Sequence, residues 1–195
     1  MKIKYLIKDD FDKACTSLAA IVAEKSKPDI VIGVRSGGGF VGRKMLENWP
    51  SSPPDYKEIE IKRELTKKKE KFKVSSILKK LPRFLTEILI KAEVHYLEVR
   101  NTKNTKRIIP DHFIGEFEDY FSGNSEIKAL IVDDCIDTGN TLSVLKNFLI
   151  KLNPNVKVEI ATITITHKNP IINADYTLYN RTICRFPWSM EIEQE

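Results

Sequence analysis

The chain has 195 residues, 42% hydrophobic and 30% charged, with a net charge of +5. That is apolar enough to bury a core and too apolar for a disordered chain, so one domain spanning residues 1–195 with an embellishment is expected. No stretch approaches the ~20 apolar residues of a membrane span, Met1 to Asp10 has no signal-like apolar run, and Cys15, Cys135 and Cys184 show no disulfide or metal-ligand spacing, so a cytoplasmic protein is expected.

In chain order, Lys2 to Ile7 reads as a short strand, and Asp9 or Asp10 is placed to cap a helix whose apolar stripe is Ala14, Leu18, Ile21 and Val22. Pro28 closes that element. Asp29 to Val34 reads as the first core strand and leads into Arg35-Ser36-Gly37-Gly38-Gly39-Phe40-Val41-Gly42. Consecutive glycines permit positive φ and close backbone approach to a ligand, and a helix is expected from about Phe40 to Asn48, before Pro50. Tyr56 to Lys62 alternates apolar and charged residues as an edge or half-buried strand does.

From Lys62 to Lys80 nine basic and two acidic residues give a local net charge of +7. Ile77, Leu81, Phe84, Leu85, Ile88, Leu89 and Ala92 then share one helical face that Pro82 interrupts, so a helical insertion is expected over about 63–93. Three readings of the basic run stay open: a solvated helix face, a surface for nucleic acid or acidic lipid, or a source of phosphate steering. Val94 to Val99 reads as a strand, residues 100–107 as a polar loop and Asp111 to Phe121 as a helix.

The most informative stretch is Ala129-Leu130-Ile131-Val132-Asp133-Asp134-Cys135-Ile136-Asp137-Thr138-Gly139-Asn140-Thr141-Leu142. Four apolar residues suit a strand buried on both faces, which the two carboxylates should end at Asp133. The turn beyond it offers helix-capping residues, and Leu142, Leu145, Phe148 and Leu149 continue at helical spacing. Carboxylates beside the free N–H groups of a helix start suit a ligand with both hydroxyls and a phosphate, such as a ribose phosphate. The chain closes with a β-branched strand, Val156 to Thr166, then His167-Lys168-Asn169-Pro170, and a tail running Tyr176 to Arg185 and Phe186-Pro187-Trp188.

The run of hydrophobics, two acids and a Thr-Gly-x-Thr turn closely resembles the 5-phosphoribosyl-1-pyrophosphate (PRPP) motif of the type I phosphoribosyltransferases. That resemblance implies an α/β fold with a mainly parallel central sheet flanked by helices, a C-terminal hood at about 167–195, and a helical insertion foreign to the family pattern. It implies that Asp133 and Asp134 hold the ribose hydroxyls directly or through metal-bound water, and that Asp137, Thr138, Gly139, Asn140 and Thr141 cradle the 5′-phosphate. Arg35, Ser36, Gly37 and Gly38 fall where the family holds pyrophosphate, often across a non-proline cis peptide, here expected around Arg35 and Ser36. Asp137 is the expected proton exchanger, its pKa raised by burial beside the other two carboxylates.

Lys168 and Pro187-Trp188 turn the resemblance toward the 6-oxopurine branch, the hypoxanthine, guanine and xanthine phosphoribosyltransferases, in which such a lysine meets the 6-oxo group and a Pro-Trp-acid hood covers the base. Ser189 replaces the acid, Ile183 falls at a position often held by a stacking aromatic, and the Ser-Tyr pair common in the mobile loop is missing. The activity implied is formation of a nucleoside 5′-monophosphate from PRPP and a nucleobase with Mg²⁺, in a homo-oligomer, a dimer being expected. Two alternatives stay open: a PRPP- or nucleotide-binding regulator without turnover, and a transferase with a non-purine acceptor.

Overall fold

The computed structural model describes residues 1–63, 107–123 and 125–189. The expected helical insertion, the strand at 94–99 and most of the basic run lie outside them. In chain order the elements are β1 (Lys2–Tyr5), α1 (Asp9–Lys25), β2 (Ile30–Val34), α2 (Gly37–Glu47), β3 (Asp55–Ile59), β4 (Lys62–Arg63), β5 (Arg107–Ile108) and α3 (Asp111–Phe121). There follow β6 (Lys128–Ile136), α4 (Asn140–Leu152), β7 (Lys157–Ile165), β8 (Tyr176–Asn180), β9 (Thr182–Arg185) and a 3-10 turn at Pro187–Ser189.

Among the described residues five strands form one sheet in the order β3-β2-β6-β7-β8, every neighbouring pair parallel. Side chains alternate across β2 and β6, so Val31, Leu130 and Val132 join the core under α1 and α2, while Ile30, Ile32 and Ile131 join the core under α3 and α4. Because helices cover both faces, β2 and the Ala129–Val132 stretch of β6 carry no polar side chain, the pattern of a buried parallel sheet. Phe117 and Phe121 of α3 are fully buried in the second core, each contributing roughly 1.5–3 kcal/mol by leaving water. The doubly covered parallel sheet is the fold class expected from sequence. Among the described residues no helix is long and apolar enough to cross a membrane.

Three local expectations are corrected. The N-terminal helix takes no side-chain cap: its flanking residue is Lys8, at φ 51°, and Asp9 and Asp10 lie in the first turn, where their charge favours the positive end of the helix dipole. The strand expected to end at Asp133 runs on to Ile136, because β7 keeps pairing beside it through Ile136↔Ile165 after β2 has stopped at Gly33↔Val132. Beyond Val132 that edge of β6 has no strand partner among the described residues, and Asp133 and Asp134 sit half-buried on that stretch. The second helix starts at Gly37 instead of Phe40, so the glycines are helical and none of the three has positive φ.

The hood joins both parts of the chain: β1 pairs in parallel with β9 through Lys2↔Thr182 to Tyr5↔Arg185, forming a small sheet apart from the main one.

Candidate functional site

The carboxyl ends of β2 and β6 lie side by side, and their turns enclose a cleft of about 330 Å³ lined by Val34, Arg35, Ser36, Gly37, Ile61, Arg107, Asp133, Asp134, Thr141 and Trp188. Such crevices beyond the strand ends of an open α/β sheet are where ligands bind. The peptide between Arg35 and Ser36 is cis. The glycines after it are explained by close approach: a Cβ on Gly37 would lie 2.2 Å from the Asp134 carboxylate, and one on Gly38 2.3 Å from the Val132 carbonyl oxygen. Without side chains there, α2 rests directly on the end of β6 and brings the turn against the two acids.

Those acids differ in environment. Asp133 Oδ1 accepts the backbone N–H of Asp134 at 2.9 Å. Burial, joined by the charge of Asp134, nevertheless pushes the Asp133 carboxyl well above the usual carboxylate range. Asp134 Oδ2 accepts the indole N–H of Trp188 at 3.0 Å. Trp188 is fixed there by rings on three sides: it stacks on Phe40 (centroids 4.9 Å apart) and Phe186 (5.0 Å) and meets Phe11 edge-on (5.2 Å). The hood tryptophan thus belongs to the cleft wall.

On the opposite rim, Arg35 Nε donates to Glu58 Oε2 at 3.0 Å, and its guanidinium lies over the Phe113 ring, 5.6 Å from the centroid. Glu58 also accepts from Arg43, and from the Tyr56 hydroxyl at 2.9 Å. Burial pushes the Glu58 carboxyl up, but the hydrogen bonds of Tyr56 and Arg35 and the guanidinium charges outweigh it and hold the group below its ordinary value. In the sequence Glu58 is only one charged position of an alternating strand. The available signal was Tyr56 and Glu58 two residues apart, hence on one face of β3.

In the turn after β6, Gly139 adopts φ 81° at the start of α4, and Asn140 Nδ2 donates to the Thr138 hydroxyl at 3.0 Å. The turn is held from outside by the Ile171 N–H, which donates to the Thr138 carbonyl at 3.0 Å. Asp137 corrects an expectation: it is exposed, not buried beside the other carboxylates, because β6 has ended and the chain has turned outward. Thr166 Oγ1 donates to it over a long 3.4 Å. Cys135 is a half-buried thiol whose pKa is pushed up, first by burial and then by the charge of Asp134, which disfavours the thiolate.

Of the sequence-predicted residues, Arg35, Ser36, Gly37, Asp133, Asp134 and Thr141 line the cleft together. Gly38 lies beneath them against β6, and Asp137, Thr138, Gly139 and Asn140 form the adjoining turn. Lys168 and Ile183 are not in the lining. Lys168 is exposed just past the end of β7. Ile183 is only 7% exposed, paired with Ile3 inside the hood, so its side chain presents no face to a base. The ring in the cleft wall is that of Trp188. Among the described residues no cluster of three or more His, Cys, Asp or Glu could hold a metal ion alone. Asp133 and Asp134 supply hard oxygen donors, which fit a Mg²⁺ ion that takes its remaining ligands from phosphate and water.

Residues 5–194 match the family described as the phosphoribosyl transferase domain. No curated protein sequence matches the chain. Among solved structures, the chain is similar to a purine phosphoribosyltransferase from Pyrococcus horikoshii, at 22% identity and a TM-score of 0.62, covering 100% of this chain and 99% of that one. It is similar also to the xanthine-guanine-hypoxanthine phosphoribosyltransferase of Helicobacter pylori (16% identity, TM-score 0.58, covering 97% and 95%). A hypothetical protein from Neisseria gonorrhoeae with bound ppGpp shares the fold as well (13% identity, TM-score 0.60, covering 97% and 90%). At these identities the likeness is one of fold.

Proposed function

The chain belongs to the phosphoribosyltransferase family, a family of transferases, and from that premise we propose that it transfers the phosphoribosyl group of PRPP to a 6-oxopurine, releasing pyrophosphate with the help of Mg²⁺. The observation that carries this reading is the cleft itself, in which two carboxylates at the end of β6 face the Arg35-Ser36-Gly37 turn with Thr141 beside them. Acids meet the ribose hydroxyls, and N–H and guanidinium donors meet the two phosphate ends.

In this reading Asp133 and Asp134 orient the ribose, and the Asp134 oxygen now taken by Trp188 Nε1–H is one that a ribose hydroxyl can use. The turn from Asp137 to Thr141 holds the 5′-phosphate on backbone N–H groups at the start of α4. Arg35 and the N–H groups at the start of α2 take the pyrophosphate as negative charge collects on it. When bound, Mg²⁺ supplies charge neutralisation to the leaving group. Asp137, exposed in the turn that adjoins the cleft, exchanges a proton with the ring nitrogen of the base. The purine part of the reading rests on Lys168, which has three donors and no acceptor and so favours an oxo group over an amino group.

The test is incubation with PRPP, Mg²⁺ and a panel of bases, following pyrophosphate release. Turnover with hypoxanthine, guanine or xanthine is the expected result. Turnover only with adenine or a pyrimidine removes the purine assignment, and PRPP binding without turnover on any base removes the transferase reaction.

A further inference from the structure

We propose that Glu58 is a positioning residue, which holds Arg35 at the rim of the cleft in the orientation that meets the pyrophosphate group of PRPP. This rests on the reading of the cleft as a PRPP site and adds a residue outside it.

Arg35 follows the end of β2 and its side chain is 53% exposed. A long side chain that exposed samples many rotamers and would lose that freedom on binding an anion. Here it is already gathered in: its Nε–H is spent on Glu58 and its guanidinium is backed by Phe113. Of the five N–H donors of an arginine, the other four have no hydrogen-bond partner among the described residues, and Arg35 lines the cleft.

Glu58 is itself held from several sides. Its side chain is 14% exposed, on β3 in register with Gly33 of β2. Arg43 of α2 donates to its second oxygen, as does Tyr56, whose hydroxyl also lies 3.0 Å from the Gly39 carbonyl oxygen. The carboxylate therefore ties β3, the glycine turn and α2 together at one point. Two guanidiniums on one carboxylate leave a net positive charge for an anion to find. An amide in its place has one acceptor oxygen for three donors.

The test is calorimetric titration with inorganic pyrophosphate of the parent, Glu58→Gln, Arg35→Ala and the double variant, together with steady-state kinetics. Glu58→Gln should weaken pyrophosphate binding roughly tenfold, the loss of one charge-assisted contact. It should raise KM for PRPP while leaving KM for the base within about twofold of the parent. In the Arg35→Ala background the same change should have no further effect, because a group acting through Arg35 cannot act without it. Parent-like affinity in Glu58→Gln, or a full additional loss in the double variant, overturns the proposal. Thermal melting checks folding, and if Glu58→Gln does not fold, Glu58→Asp, which withdraws the carboxylate by one methylene, is read by the same criteria. A parent protein that binds neither PRPP nor pyrophosphate overturns the PRPP reading and this inference together, whereas normal binding untouched by the substitutions overturns this inference alone.

Discussion

Gly38→Ala is the substitution for which the geometry gives the sharpest expectation. A Cβ at that position would lie 2.3 Å from the Val132 carbonyl oxygen and 2.8 Å from Asp133 Cα, both backbone atoms of a central strand. Neither can rotate away, so α2 must retreat from β6. Overpacking of this kind costs about 1–3 kcal/mol, and a contact with fixed backbone belongs at the upper end. Replacing a helical glycine by alanine returns about 1 kcal/mol. The net loss is then about 2 kcal/mol, which for a chain of this length lowers Tm by roughly 4–8 °C. Gly115, in α3 with nothing within 4 Å of its would-be Cβ, is the control: Gly115→Ala carries the helix gain alone and should raise Tm by roughly 2–4 °C. Because the retreat of α2 carries the Arg35 turn with it, Gly38→Ala should also weaken PRPP binding, and Gly115→Ala should not. Calorimetric melting and a PRPP titration on both variants read all of this. A Gly38→Ala protein that melts at or above the parent would refute the claim that close approach explains the glycine.

The other expectations concern single carboxylates and the base. Asp133 has its folded pKa raised above its unfolded value, so its ionisation costs stability as pH rises through the interval between the two, and no cost remains below the unfolded value. Asp133→Asn should therefore melt above the parent at pH 8, by about 1.4 kcal/mol for each unit of displacement, with the gap closing as pH falls toward about 4. The same variant should bind PRPP more weakly, and equal melting across that range would count against the burial argument. Asp137→Asn should leave PRPP affinity intact and slow turnover by about a hundredfold, measured in single-turnover experiments. Lys168→Met should raise KM for oxopurines and shrink their advantage over adenine with PRPP binding unchanged; an unaltered ratio of kcat/KM values would remove Lys168 from the base pocket.

How far the sequence carried the reading can be judged element by element. The apolar runs Ile30–Val34 and Ala129–Val132 announced a sheet covered on both faces, and Asp111–Phe121 is a helix over the span expected from sequence. The two acids and the glycine turn came together as expected, because each follows a core strand and the strands are neighbours. What could not be read was anything set by a distant partner. The end of β6 depends on how far β7 runs beside it, so the carboxylates looked like a stop signal and are not one. The three glycines looked like a loop and are helical, since their purpose, contact with Val132 and Asp134, lies across a gap that no local pattern records. Asp137 looked buried by proximity in sequence, but its side chain leaves the pair as the strand ends. Ile183 and Trp188 lie close together in the tail, and only the pairing of β9 with β1 decides which of them faces the cleft.

That pairing also orders events during synthesis. β1 leaves the ribosome before its partner Thr182–Arg185, with every strand of the central sheet made between them. Until then β1 is an unpaired strand of alternating lysine and apolar residues, the lysines guarding an edge that would otherwise invite pairing with another chain. The central sheet can assemble while translation continues, but the hood cannot, and neither can the aromatic stack that carries Trp188 to Asp134. A nascent chain halted before Thr182 would hold both acids of β6 with no indole over them. Synthesis of the hood and completion of the cleft wall are one event.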